Sequence, residues 1–323
     1  MVENALRWID STDAPFLVRI SLLQPHTPVL PPAKYVKLLD GQDPGLPSFA
    51  FEGLSAFERR VAAVHGLERM ESEDLRAARL HYYAQVSWID DQIGRVVDYL
   101  EKNGRLDRTI VLFGSDHGNP IGDTGAFGKH TFTPSVHRVP LLIAWPGTLA
   151  AGQERNDICD SLDIGKTLFA MVGIDAPNQF KGRNLFSDPP PDAIYSTIGF
   201  GQPDSKMGPN RGRGEWYGGR GWPRCSCIRT SRYRLDKNML IDGRKPEPEE
   251  EDIFLADVVS DPVEMTNLAG DPQRSGVIHE LSEALDQHVE GAVEVPCECL
   301  RRQTANQAFQ ATLDSAPERR RWP

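Results

Sequence analysis

The chain has 323 residues, enough for one large or two ordinary domains with a sizeable buried core. Its 46 acidic and 36 basic side chains give a net charge of −10, which argues against a general nucleic-acid binder. No apolar run reaches the roughly 20 residues of a membrane span, so neither nucleic acid nor membrane is an expected partner.

At the start, Leu6, Trp8 and Ile9 set among acids predict a short helix over Val2–Asp10 and not an export signal. Without such a signal a reducing compartment, the cytoplasm by default, is expected. Residues 16–23 (FLVRISLL) read as a strand ending in Gln24-Pro25-His26. His26 then sits at a carboxyl end, on one rim with later strand ends if the strands are parallel. Pro25, Pro28, Pro31 and Pro32 stiffen the following loop. Residues 40–52 are Gly/Pro-rich and read as a loop. The longest helix is predicted over 72–103, with Ser72 as N-cap and Gly104 as the stop. Its apolar face is Leu75, Tyr82, Val86, Ile89, Ile93, Val97 and Leu100. Asp90-Asp91 lies mid-helix beside apolar positions and reads as structural.

Residues 110–113 and 139–145 are apolar, partly β-branched and bounded by Gly and Pro, as in buried strands of a parallel sheet. Ser115-Asp116-His117-Gly118 stands on the turn leaving the first, and Lys129-His130 follows in the connection. Open α/β sheets bind ligands beyond the carboxyl ends of their strands. Adjacent Asp and His can offer one cation a hard oxygen and an imidazole nitrogen, and Lys129 a fixed positive charge for an anionic oxygen. Spacing alone fits equally well a loop-capping Asp116 and a solvated Lys129.

Residues 161–172 form a further predicted helix, ended by Gly173. Pro189-Pro190-Pro191 marks a boundary, giving an α/β domain over 1–190, a small subdomain over 191–300 and an aperiodic tail over 301–323. The Gly/Arg-rich stretch 199–224 reads first as a flexible insertion, then as a substrate loop, and last as an RNA-binding run. Short strands at 226–229, 233–235 and 253–255 suggest an antiparallel sheet with helix 277–288 against it, and the acidic run 247–252 reads as a solvated turn. Of five cysteines, Cys225, Cys227, Cys297 and Cys299 form two C-x-C pairs that could give zinc four thiolates. The usual spacing is C-x2-C, so unlinked thiols are the expectation for these and for Cys159.

The wording around these residues resembles the sulfatase family of the alkaline-phosphatase-like superfamily. The likeness rests on Ser115-Asp116-His117-Gly118, Gly128-Lys129-His130 and the run 138–147, and on Gln24-Pro25-His26-Thr27-Pro28. It extends to Lys181-Gly182-Arg183-Asn184-Leu185 and to 252–268 near the end. The resemblance implies an α/β fold, the C-terminal part of a mixed sheet flanked by helices, plus a small α+β subdomain with an antiparallel sheet. It implies sulfate-ester hydrolysis of a small sulfated substrate with a divalent metal, calcium first and Mn2+ or Zn2+ as alternatives. Asp116 and His117 match the metal ligands, Lys129 a catalytic sulfate contact, and His26 a sulfate contact or proton donor. His130 is adjacent but has no separate warrant.

Three features of the family have no counterpart. The C-x-P-x-R motif that yields the formylglycine nucleophile does not occur, and Cys225-Ser226-Cys227-Ile228-Arg229 lacks its proline. The early aspartate pair on the first strand is missing, as are a Lys and a His after the nucleophile, and only 23 residues precede Gln24. The sequence thus reads as the C-terminal part of a sulfatase, from a truncated gene or a mis-placed start, or else as a genuine short product. A phosphate or phosphonate ester hydrolase and an inactive anion-binding or scaffold remnant are the alternative functions.

Overall fold

The computed structural model describes residues 1–47, 53–65, 70–199, 224–241 and 243–291. Expectations for residues 48–52, for 200–223 of the Gly/Arg-rich stretch, for Cys297 and Cys299, and for the tail 301–323 lie outside the described residues.

The first helix, α1 (Val2–Asp10), buries Val2 and Ile9. It is tied to the far end of α4 (Ser72–Lys102), where Tyr99 donates to Asp10 at 2.8 Å. The cap of α4 is Glu71 and not Ser72, which is already helical; Glu73 and Asp74 in the first turn favour the positive end of the helix dipole. Gly104 takes φ +59 after the C-cap Asn103, as the stop signal requires. Leu75, Ile89 and Leu100 are buried, but Val86 is exposed, and the buried face includes Gln85 and Gln92 instead. Short α2 (Ala33–Leu38) lies on this helix: Tyr35 donates to Asp91 Oδ2 at 2.5 Å and Lys34 at 3.1 Å, so Asp91 is indeed structural.

Residues 16–23 form neither helix nor strand, with Leu17 and Leu23 exposed and Phe16, Val18, Ile20 and Leu22 half-buried. That is the alternation of a strand, but no described strand pairs with it, so the expected strand is not formed. The two apolar runs do form strands, β1 (Val111–Gly114) and β2 (Leu141–Ala144), yet they pair with each other antiparallel, Val111 opposite Ala144. The parallel arrangement is therefore corrected. Parallel neighbours need a crossover, usually a full helix, and this connection holds only the four-residue α5 (Pro134–His137). Nor are the strands buried on both faces, since Leu142 is 58% exposed. Helix α6 (Leu162–Met171) follows as expected, with Gly173 at φ +70 after its end.

The second sheet is a four-stranded antiparallel meander: β3 (Ala193–Ile198), β4 (Arg224–Thr230), β5 (Tyr233–Leu240) and β6 (Ile253–Asp257) in that order. Helix α7 (Ser275–Gly291) packs Leu281 and Leu285 onto Ile228, Leu235 and Leu255. The opposite face carries Cys225 and Cys227, which meet Phe57 and Val61 of α3 (Ala56–His65) and Phe132. Being covered on both sides, β4 buries even Ser226, whose hydroxyl bonds Thr197 at 2.9 Å. Residues from before and after the Pro189-Pro190-Pro191 run thus share one core cluster.

The acidic run is not simply solvated. Asp252 accepts from the backbone N–H groups of Ala56 (3.1 Å) and Phe57 (2.8 Å), so it caps the start of α3, while burial pushes its carboxyl up. Cys159, Cys225 and Cys227 are free thiols. Burial pushes the Cys225 and Cys227 thiols well up, which makes them unreactive. Among the described residues no group of three or more His, Cys, Asp or Glu side chains could hold a metal ion.

Candidate functional site

The turn after β1 orders itself. The His117 N–H donates to Asp116 Oδ1 at 3.0 Å, and the Ser115 hydroxyl donates to the His117 carbonyl at 2.9 Å. His117 Nδ1 lies 2.9 Å from the Gly118 carbonyl. A carbonyl can only accept, so Nδ1 carries a proton, and in the neutral ring Nε2 presents a lone pair. That nitrogen is 2.9 Å from Lys129 Nζ and 3.5 Å from Asp116 Oδ2. Asp116, His117 and Lys129 are therefore brought together. The Asp116 side chain is 85% exposed and that of His117 29%.

Three residues outside the sequence motif hold this arrangement. Asn119 Oδ1 accepts from Gly128 N–H at 2.9 Å and Ile121 N–H at 3.3 Å, closing the loop between the His117 turn and Lys129. Phe132, almost fully buried, anchors the chain just after Lys129, and its carbonyl accepts from Arg229 Nη2 at 3.0 Å. An Asn following Gly is a turn signal that sequence reading can find. The bond from Arg229, 97 residues away, leaves no local trace.

Gly118 donates to the Val136 carbonyl at 2.8 Å, so the turn lies directly on α5. A methyl group at Gly118 would overlap the Ser135 carbonyl oxygen. Gly118→Ala is expected to cost about 1–3 kcal/mol by forcing backbone apart. A urea titration checks this, and a midpoint equal to wild type would refute the close approach.

His26 is exposed, with Nδ1 2.6 Å from the neighbouring Thr27 carbonyl. Among the described residues no hydrogen bond or ion pair joins it to Asp116, His117 or Lys129. The flanking Gln24–Pro25 and Thr27–Pro28 peptides are cis. His130 is half-buried.

An imidazole whose Nδ1–H is held by a backbone carbonyl is oriented to bind a metal through Nε2. Asp116 adds a carboxylate beside it. A hard cation takes roughly six to eight oxygen-rich ligands, so these residues fit one side of such a site and not the whole of it. The Lys129 ammonium lies on the same lone pair, so a cation at Nε2 and Lys129 at 2.9 Å exclude each other.

Residues 1–174 match the family model for sulfatases. Over 178 residues the chain is 32% identical to an arylsulfatase of Clostridium perfringens, covering 53% of this chain and 37% of that protein. One solved structure, determined in complex with its substrate D-glucosamine-2-N,6-O-disulfate, aligns with a TM-score of 0.72 at 20% identity, covering 90% of this chain and 68% of the other. The phosphonate monoester hydrolase of Agrobacterium radiobacter aligns with a TM-score of 0.68 at 25% identity, covering 88% and 59%. The α/β class with its small antiparallel subdomain is the fold of these neighbours. The chain spans 39%, 37% and 33% of the length of three curated relatives.

Proposed function

This chain belongs to the sulfatase family, and on that premise we propose that it forms the cation- and anion-binding part of an enzyme that hydrolyses the ester bond of a small sulfated substrate. The observation that carries this reading is the convergence of Asp116, His117 and Lys129 at one strand end, with Lys129 Nζ 2.9 Å from His117 Nε2.

Members of this family use a divalent metal; calcium is the ion proposed here. When bound, it polarises a sulfate oxygen and stabilises the charge that develops on it. Asp116 would hold it through a carboxylate oxygen and His117 through Nε2. The Gly118 carbonyl accepts the Nδ1 proton of His117, so in the neutral ring Nε2 would be the ligand atom. Lys129 is a flexible point charge with three donors, suited to a sulfate oxygen. His26 would donate a proton to the departing alkoxide. The 323 residues contain no C-x-P-x-R nucleophile motif, so the chain supplies the cation and anion contacts of the reaction.

Turnover of an aryl sulfate is compared with that of an aryl phosphate monoester and diester. Among the three, turnover is expected to be fastest with the sulfate. Faster phosphate-ester turnover would replace this reading with the second one, which the likeness to a phosphonate monoester hydrolase favours. Calcium and sulfate binding without turnover of any of the three would identify an inactive anion-binding protein.

Because Lys129 meets the anion and not the cation, Lys129→Ala is expected to weaken sulfate binding roughly tenfold. It leaves calcium binding undiminished, since the lone pair of His117 is freed. Calorimetric titration separates the two, and an equal loss of both would contradict the assignment.

A further inference from the structure

We propose that Gln85, seconded by Asp91, is the positioning residue for His26, so that α4 clamps the loop carrying this imidazole. The proposal rests on the reading of His26 as a group that meets the sulfate or its leaving group.

The loop needs outside support. In residues 24–32 four of nine positions are proline, and proline has no N–H to donate. Leu23, His26 and Leu30 are exposed, so burial of their side chains does not fix the loop. One internal turn bond is present, from His26 N–H to the Leu23 carbonyl at 3.0 Å.

Gln85 supplies what is lacking. It sits midway along α4 beside fully buried Ala84 and is itself only 2% exposed. A buried primary amide must satisfy its donors and its acceptor, or it costs stability. One orientation of this amide does so: Nε2 donates to the Pro25 carbonyl at 3.2 Å, and Oε1 accepts from the Leu30 N–H at 2.9 Å. The reverse orientation makes one long bond, from Nε2 to the Pro28 carbonyl at 3.5 Å, and sets Oε1 against the Pro25 carbonyl and Nε2 against the Leu30 N–H. Both partners are loop backbone, one immediately before His26 and one four residues after it. A single side chain thus spans the segment that holds the imidazole.

The loop's far end is fixed to the same helix. Asp91 Oδ2 accepts from Tyr35 Oη at 2.5 Å and from Lys34 Nζ at 3.1 Å. With both attachments on α4, the position of His26 follows that of one long helix. Gln85 acts through the loop backbone and does not touch substrate.

Amide hydrogen exchange and the ring signals of His26 are measured by NMR in the whole chain, for wild type and Gln85→Met. The Met side chain preserves length but makes neither bond. Exchange at the Leu30 amide is expected to rise at least roughly fivefold, the factor for losing one ordinary hydrogen bond. The His26 ring signals are expected to shift while exchange in the core of α4 stays at its wild-type rate. Unchanged Leu30 exchange together with unmoved His26 signals would overturn the clamp.

If Gln85→Met does not fold, Gln85→Glu retains the acceptor toward Leu30 and loses the donor toward Pro25. Leu30 then stays protected while His26 shifts, and an unmoved His26 overturns the clamp. Neither readout involves sulfate. Titration of the wild-type His26 signal with sulfate tests the underlying reading separately, and a silent titration would sink that reading while leaving the clamp intact.

Discussion

Replacing Arg234 by Met is expected to destabilise the fold by about 3–5 kcal/mol, the usual cost of leaving buried charges unpaired. Arg234 is fully buried, its guanidinium 4.5 Å above the Phe254 ring. It donates to Glu58 Oε1 at 2.7 Å, Glu264 Oε2 at 3.2 Å and Asp236 Oδ1 at 3.0 Å, with a further contact to Asp236 Oδ2. Arg229 grips the two Glu264 oxygens at 2.5 and 2.9 Å. Three buried carboxylates therefore share two arginines, and the Met variant leaves one.

The loss is not local. Glu58 closes the first turn of α3 by accepting from Ser55 N–H at 3.2 Å, and Glu264 holds a left-handed φ of +57 that a β-substituted residue adopts only under constraint. Arg234 thus ties α3, β5 and the 261–268 segment into one unit. A midpoint shift at unchanged slope in urea reads the cost. Lys245→Ala, which breaks the exposed Lys245–Glu290 pair at 2.8 Å, is the control and should not move it. An Arg234→Met midpoint equal to wild type would mean that the network does not hold the fold.

The second large effect is an acid instability centred on His137. Burial, with the nearby Arg229 and Arg234 charges, pushes its pKa from 6.5 down to about 4. As the pH falls below 6.5 the unfolded chain takes up a proton that the native protein refuses until about pH 4. The contribution is therefore complete above 6.5 and is lost as the pH falls toward 4. It amounts to about 3 kcal/mol. His137 packs edge-on against Phe132, ring centres 5.6 Å apart, in the helix on which the Asp116–His117 turn rests. Denaturation at pH 7 and pH 4 should show wild type losing about 3 kcal/mol more than His137→Gln. Parallel losses in the two proteins would refute the assignment.

The sequence makes some of this legible and conceals the rest for physical reasons. The strand character of β1 and β2 is visible because apolar, β-branched runs between Gly and Pro report burial. Their direction is not, since the same side chains serve a parallel or an antiparallel neighbour. Residues 16–23 alternate as a strand does, but a strand exists only with a hydrogen-bonded partner. Asp116, His117 and Lys129 are found by their wording. The bonds that bring them together come from Asn119 and from Arg229 across 97 residues, and no local pattern marks the latter. Gln85 and Asp252 are concealed in another way. A glutamine on a helix and an aspartate in an acidic run look solvated until the backbone they bond is in place.

The central claim is that Asp116, His117 and Lys129 form the cation and anion side of a sulfatase site. Calorimetric titration of the chain with calcium, with and without sulfate, in wild type and His117→Ala, tests it most directly. The account predicts saturable calcium binding that sulfate strengthens and that His117→Ala weakens at least roughly tenfold. Calcium binding that is indifferent to both sulfate and His117→Ala would contradict it.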